Sequence, residues 1–209
     1  MKIRPLSLDG AWEITPQKHQ DGRGSFLEWY RFDRLEEVGA GPVGFRQGNL
    51  SVSAAGVVRG IHFAAVPPGQ AKYVSCVRGR IWDAVVDLRV GSPTFGSVEG
   101  VQLDDVDRRA VYIAEGLGHG FCALSDNAVV AYLSSTTYDP AREHSVHPLD
   151  PRLAIAWPVE HPVLSPRDAS APSLDELRDA GLLPRHDACG PPAVGDKEEP
   201  ASWVGRHCR

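Results

Sequence analysis

The run Lys72-Tyr73-Val74-Ser75-Cys76-Val77-Arg78-Gly79-Arg80-Ile81-Trp82-Asp83-Ala84-Val85-Val86-Asp87-Leu88-Arg89-Val90 reads as two consecutive strands that turn at Arg78-Gly79. Its β-branched and aromatic content suits a pleated surface. Side chains alternate across a strand, so Tyr73, Ser75 and Val77 share one parity and Val74 and Cys76 the other. In the second strand Trp82, Ala84, Val86, Leu88 and Val90 make an apolar face. Asp83, Asp87 and Arg89 lie opposite with Ile81 and Val85, which sets two carboxylates on a surface otherwise suited to burial. Gly91-Ser92-Pro93-Thr94-Phe95-Gly96 closes this strand with turn residues.

Residues 45–140 carry many short strands of the same kind. Ala128 to Tyr138 is predicted as one, with Val130, Tyr132, Ser134, Thr136 and Tyr138 on one side. Strands punctuated by Gly, Pro and Asp point to an all-β antiparallel sandwich or barrel, and a jelly roll of roughly eight strands fits the length. Helix signals are few. Phe32 to Val38 is predicted as a short helix ending at Gly39, and Ser173-Leu174-Asp175-Glu176 as a capping box whose helix stops at Gly181, before Pro184. The organisation expected is one domain over residues 1–185 and a flexible tail over 186–209, where Gly, Pro and charged residues dominate.

The 209 residues carry 22 Lys+Arg against 27 Asp+Glu, a formal charge of −5. A chain of this length can bury a core without disulfides. Net acidity without a basic tract argues against nucleic acid and anionic membrane as partners, since both need a positive field. No run approaches the ~18 apolar residues of a membrane span, and the first residues lack a signal-peptide core, so a soluble cytoplasmic protein is expected. Cys76, Cys122, Cys189 and Cys208 show no Cys-x-x-Cys spacing and are expected as free thiols. The 21 Gly and 17 Pro belong mostly to turns of the strand-rich body.

The densest polar cluster is Gly56-Val57-Val58-Arg59-Gly60-Ile61-His62-Phe63, followed by Pro67-Pro68-Gly69-Gln70-Ala71-Lys72. Its apolar residues explain themselves as core, whereas Arg59 and His62 do not. An ion-paired edge arginine and a hydrogen-bonded core histidine would account for them without chemistry. A strand of period two puts them on opposite faces, so their convergence requires a bulge near Gly60. Gly116-Leu117-Gly118-His119-Gly120-Phe121 surrounds a second histidine with glycines, as a hairpin or a close ligand approach would. No His-x-His pair suits a metal-binding barrel, and no phosphate-cradling Gly-rich motif or nucleophile elbow is present. Asp21-x-Arg23 to Glu28 and Ser165-Pro166-Arg167-Asp168 read locally as turns with solvated charges.

In order, Asp21-x-Arg23-Gly24-x-Phe26-x-Glu28, Gln47-x-Asn49-x-Ser51, Arg59-Gly60-Ile61-His62-Phe63, Gln70-Ala71-Lys72, Asp83-x-x-x-Asp87-Leu88-Arg89-x-Gly91-Ser92-Pro93-Thr94, Gly118-His119-Gly120-Phe121, Tyr132, Tyr138 and Ser165-Pro166-Arg167-Asp168 resemble the dTDP-4-keto-6-deoxyhexose 3,5-epimerases. The likeness covers residues 1 to about 185, and the wording around Asn49 and Pro67 is similar to members serving actinomycete antibiotic deoxysugar pathways. It implies a cupin-type double-stranded β-helix, a homodimer, no metal and no cofactor. It also implies a dTDP-4-keto-6-deoxyhexose substrate, deprotonated beside its 4-keto group to an enolate and reprotonated from the other face.

Carried over by motif, His62 is the base, Asp168 its paired carboxylate, Lys72 the cation at the developing oxyanion and Tyr132 the acid. Arg23, Glu28, Gln47, Asn49, Arg59, His119, Tyr138, Glu143 and Arg167 are the implied substrate-binding residues. Arg23 and Arg167 would face the diphosphate and Tyr138 the thymine, with residues 21–29 lent to a partner subunit. Asp83 is implied as a partner for a charged group. Ala64-Ala65-Val66 follows Phe63 where many members that invert both carbons have Gln, which leaves carbon 3, carbon 5 or both open. A ketoisomerase or dehydratase on a related sugar, and a non-catalytic nucleotide-sugar-binding cupin, are the rival readings.

Overall fold

In the computed structural model, which describes residues 1–40 and 44–189, thirteen strands and three short helices follow one another. They are β1 (Lys2–Pro5), β2 (Ala11–Thr15), β3 (Lys18–Asp21), β4 (Gly24–Leu27), α1 (Phe32–Glu36), β5 (Gln47–Ser53), β6 (Val58–Ala64), β7 (Lys72–Arg78), β8 (Arg80–Asp87), β9 (Val98–Asp104), β10 (Ala110–Ile113), β11 (Leu117–Ala123), β12 (Ala128–Ser134), β13 (Glu143–Ser145), α2 (Pro166–Ala169) and α3 (Leu174–Asp179). One sheet runs β1-β2-β10-β7-β12-β5 and the other β13-β6-β11-β8-β9, while β3 and β4 form a separate hairpin. Every pairing of named strands is antiparallel. The all-β jelly roll is therefore the fold. It has more strands than the expected eight because β1, β2 and β13 extend the two sheets and β3 and β4 form a hairpin of their own.

Alternation of side chains sorts three apolar layers. Val74 and Cys76 of β7, Ile81 and Val85 of β8, Val111 of β10, Phe121 of β11 and Val130 of β12 meet between the sheets. Trp82, Ala84, Val86 and Leu88 lie on the outer face of the second sheet, where Trp157, Leu174, Leu177 and Leu183 cover them. Tyr73, Ile14 and Tyr112 on the outer face of the first sheet lie under Leu35 of α1, Trp29 and Tyr30. Each fully buried aliphatic or aromatic side chain contributes about 1.5–3 kcal/mol, so both sheets are anchored from outside as well as from within.

Three local expectations need correction. The strand from Ala128 ends at Ser134, not Tyr138. There the Ser135 hydroxyl accepts the Ala71 N–H at 2.9 Å and the Thr136 hydroxyl takes the Gln70 amide at 3.3 Å, so side chains replace the ladder. The strand through Asp83 ends at Asp87, whose carboxylate accepts the Arg89 N–H at 3.0 Å and turns the chain before Val90. Residues His186–Ala188 form a 3-10 turn, with the His186 N–H donating to the Val90 carbonyl. The rest of the expected tail, residues 190–209 with Cys208, lies outside the described residues. The capping box at Ser173 and Glu176 is present, and Gly39 and Gly181 follow α1 and α3 with positive φ. Among the described residues no helix is long and apolar enough to cross a membrane.

Candidate active site

The space between the sheets is apolar at one end and polar at the other. Lys72 begins β7 on the parity of Val74 and Cys76, so its side chain turns inward. Tyr132 packs against the same inner core, with Asn49 of β5 beside it in register. From the opposite sheet come Arg59 and His62 of β6, Asp83 of β8 and His119 of β11.

Arg59 and His62 share a face because β6 carries one extra residue. His119 stands opposite His62 and Phe121 opposite Arg59, so two steps along β11 match three along β6. The bulge falls at Gly60, as the spacing required. Gly60 has a φ of +119°, and a Cβ there would lie 2.6 Å from Gly120 Cα and 2.7 Å from the His119 carbonyl. Gly120 is equally constrained, since its Cβ would meet the Arg59 carbonyl at 2.8 Å. The glycines flanking the two histidines thus serve a close crossing of two strands. Val58, Ile61 and Phe63 consequently point into the outer core while Arg59 and His62 face inward.

His62 Nε2 donates to Asp168 Oδ1 at 2.8 Å, with the histidine side chain 34% exposed and the aspartate 5%. Asp168 arrives from far along the chain because the segment after β13 leaves β6 at Val146, crosses the outer face of the sheet and returns to β6 at Val163. Val146 and Ile61 exchange hydrogen bonds, and the Val58 N–H donates to Val163. α2 then starts under His62. Ser165 caps it, accepting the Asp168 N–H at 3.1 Å and donating its hydroxyl to Asp168 Oδ2 at 3.0 Å. Burial by itself would raise the Asp168 carboxyl. The hydrogen bond and charge of His62, the Ser165 hydroxyl and the Gly60 N–H outweigh it and hold the group below the ordinary range.

His119 Nε2 and Asp83 Oδ2 form a second pair at 2.8 Å, both residues buried. Lys72 is buried without an ion-pair partner within 4.0 Å among the described residues. Desolvation pushes its ammonium down to about 8, against the charges of Glu143 and Asp83. Burial raises the Tyr132 phenol, Glu143 adds to that, and Arg59 opposes it. Arg59 is held by the Ser53 hydroxyl at 3.0 Å and the Val52 carbonyl at 3.3 Å. Glu143, opposite Ala64 on β13, accepts from Gln70 at 3.5 Å beside a recess of about 180 Å³. Gln47 donates to Asn49 at 2.8 Å and accepts the Tyr138 N–H at 2.8 Å.

The arrangement offers a hydrogen-bonded base, a buried phenol and a desolvated cation, the components of proton transfer beside a carbonyl. Four of the implied residues are not gathered in this site. Arg23, its side chain 91% exposed, pairs with Asp21 on the β3–β4 hairpin, and Glu28 pairs with Arg31. Arg167 is exposed and donates to the Glu143 carbonyl at 3.4 Å. Tyr138, beyond the end of β12, is 54% exposed. Sequence reading passed over Ser165, Ser53 and Gln70 as supports. Only Ser165 left a signal: a Ser-Pro-x-Asp run is a helix start as well as a turn.

Residues 5–176 match the family profile described as dTDP-4-dehydrorhamnose 3,5-epimerase. A dTDP-4-dehydrorhamnose 3-epimerase of Streptomyces niveus is 61% identical over 204 residues, covering 94% of this chain and 99% of that protein. A dTDP-4-dehydrorhamnose 3,5-epimerase of Mycobacterium tuberculosis is 54% identical over 188 residues, covering 88% and 93%. The solved structure of NovW, a 4-keto-6-deoxy sugar epimerase from the novobiocin cluster of Streptomyces spheroides, superposes with a TM-score of 0.89 at 64% identity, covering 91% of this chain and 96% of that one.

Proposed function

We propose, from the premise that the chain belongs to the dTDP-4-dehydrorhamnose 3,5-epimerase family, that it inverts dTDP-4-keto-6-deoxyglucose at carbon 3, carbon 5 or both without a cofactor. The observation that carries this reading is the His62–Asp168 contact. It joins residues 106 apart in sequence at the polar end of the sandwich. With Nε2–H committed to Asp168, Nδ1 is the ring nitrogen left to take a proton. Asp168 stays ionised and stabilises the imidazolium that forms.

Removal of the hydrogen beside the keto group sends the C–H electron pair into an enolate whose oxygen gains charge. Lys72 stabilises that charge more than the ketone's, because a fixed cation in a drained site acts most strongly where charge develops. Tyr132, on the opposite sheet from His62, returns a proton to the other face, and its raised pKa keeps the phenol protonated beforehand. His119 with Asp83, Arg59, Asn49, Gln47 and Glu143 line the sugar and phosphate portion in this reading. Arg167 and Tyr138 lie at its rim. The exposed β3–β4 hairpin supports the reading that Arg23 and Glu28 serve a partner's site in a cytoplasmic homodimer. Both residues are held in solvent-exposed local pairs, Arg23 with Asp21 and Glu28 with Arg31.

Incubation with dTDP-4-keto-6-deoxyglucose in deuterated water, followed by proton NMR, tests this directly. Deuterium should enter at carbon 3, carbon 5 or both, and His62→Ala should abolish it. The absence of exchange with the unaltered protein would sink the epimerase reading for this substrate. The labelled position reports which carbon is deprotonated, and the ring proton couplings of the product report which is inverted.

A further inference from the structure

The proposed reaction needs His62 held in one orientation, and Asp168 can orient it only if its own carboxyl plane is fixed. We propose that Ser165 is the positioning residue that fixes it, an inference that rests on the His62–Asp168 assignment above. A single hydrogen bond to His62 would leave the carboxylate free to rotate about its Cβ–Cγ bond. Here the two oxygens are held separately. Oδ1 takes His62 Nε2–H at 2.8 Å, and Oδ2 takes the Ser165 hydroxyl at 3.0 Å. The same Ser165 oxygen accepts the Asp168 N–H at 3.1 Å, which locks the backbone that carries the carboxylate.

Two further features turn this contact towards the histidine. The Gly60 N–H of β6 also helps hold the Asp168 carboxyl down, so its charge is supported from β6 as well as from α2. Pro166 at the first helical position fixes the turn that brings the Ser165 hydroxyl back onto its own third neighbour. Ser165 is exposed, whereas Asp168 is 3% exposed. Its hydroxyl therefore satisfies a buried acceptor from the solvent side, where no core packing requires it.

Capping a four-residue helix is the competing role, and glycine separates the two. Glycine is nearly as good an N-cap as serine but has no hydroxyl. Steady-state exchange from dTDP-4-keto-6-deoxyglucose into deuterated water should be measured on the full-length Ser165→Gly, Ser165→Ala and Ser165→Thr variants. Ser165→Gly and Ser165→Ala should each lower kcat about tenfold or more, with KM within about twofold, because a loosened base loses rate rather than substrate binding. Ser165→Thr keeps the hydroxyl and should stay within about threefold of the unaltered protein.

If Ser165 acts through Asp168, adding Ser165→Ala to Asp168→Ala should change kcat by less than about twofold. A Ser165→Gly variant with full kcat, or an undiminished Ser165 effect on the Asp168→Ala background, overturns the proposal while leaving the dyad intact. Full activity in both Asp168→Ala and His62→Ala instead overturns the dyad itself. Thermal midpoints of all variants, expected within a few degrees of one another, exclude unfolding as the cause.

Discussion

Lys72→Met should slow the reaction severely and stabilise the protein, and the two effects have one source. An ammonium whose pKa falls from 10.5 to about 8 on folding binds its proton less tightly in the native state. At about 1.4 kcal/mol per pKa unit, the folded protein carries a penalty of about 3 kcal/mol at pH 7. The sign follows from proton counts. Between the two pKa values the unfolded chain holds the proton that the folded one has lost, so stability rises with pH and the penalty shrinks to about 2 kcal/mol at pH 9. Methionine, of similar length and uncharged, removes the penalty at every pH. Urea unfolding at pH 7 and pH 9 should show the variant more stable at both, by a margin about 1 kcal/mol smaller at pH 9. Exchange into the substrate should fall by about 10²–10³, the usual loss on removing one stabiliser of a developing oxyanion. In the unaltered protein kcat should decline above about pH 8 as the ammonium deprotonates. A stability margin that does not change between the two pH values refutes the claim that Lys72 is a desolvated cation.

Asp87 is buried with Arg89, and although desolvation opposes its charge, hydrogen bonds from Arg89, Ser92 and Thr94 hold it down to about 2. Its stabilisation, about 2 kcal/mol, is present above pH 4 and lost as pH falls through 2. Asp87→Asn should cost about 3 kcal/mol at pH 7 by leaving the Arg89 guanidinium buried without its counter-charge, and urea midpoints at pH 7 and pH 3 should converge towards those of the unaltered protein as the acid limb is reached. Gly60→Ala places a methyl group against the Gly120 backbone at a positive φ. It should lower the unfolding free energy by about 3 kcal/mol or more and abolish exchange, and a stable, active alanine variant would show that the close crossing of β6 and β11 is not required.

The parts of this site that could be read from sequence are those set by local alternation. The parity of Lys72 with Val74 and Cys76 fixed its inward direction, and the spacing of Arg59 and His62 demanded the bulge found at Gly60. Asp83 and Asp87 stood out as carboxylates on a face otherwise suited to burial, and each has a cationic or imidazole partner. The His62–Asp168 pair was not legible from residue physics, because it depends on where the return path along β6 ends. Ordered likeness to a family supplied it instead. Tyr138 was misplaced for a local reason: alternation continued through residues 134–138, but the Ser135 hydroxyl took over a backbone position and peeled the chain away.

The polar end of the sandwich is tolerable because the apolar layers lie elsewhere. A two-sheet protein with a single inter-sheet core would have to fill that core completely with apolar side chains. Here the outer faces are buried too, the second sheet beneath Trp157, Leu174 and Leu177 and the first beneath Leu35 and Trp29. Part of the inner space is thereby released for charged groups whose burial is costly. Lys72 lies there with no ion-pair partner among the described residues, and Asp83 Oδ1 lies there with no hydrogen-bond partner. The segment that covers the second sheet also delivers Ser165 and Asp168 to His62, so one stretch of chain both stabilises the sheet from outside and completes the base within it. This coupling explains why α2 needs only four residues: its position is set by the packing on either side, and the serine cap has only to aim one carboxylate.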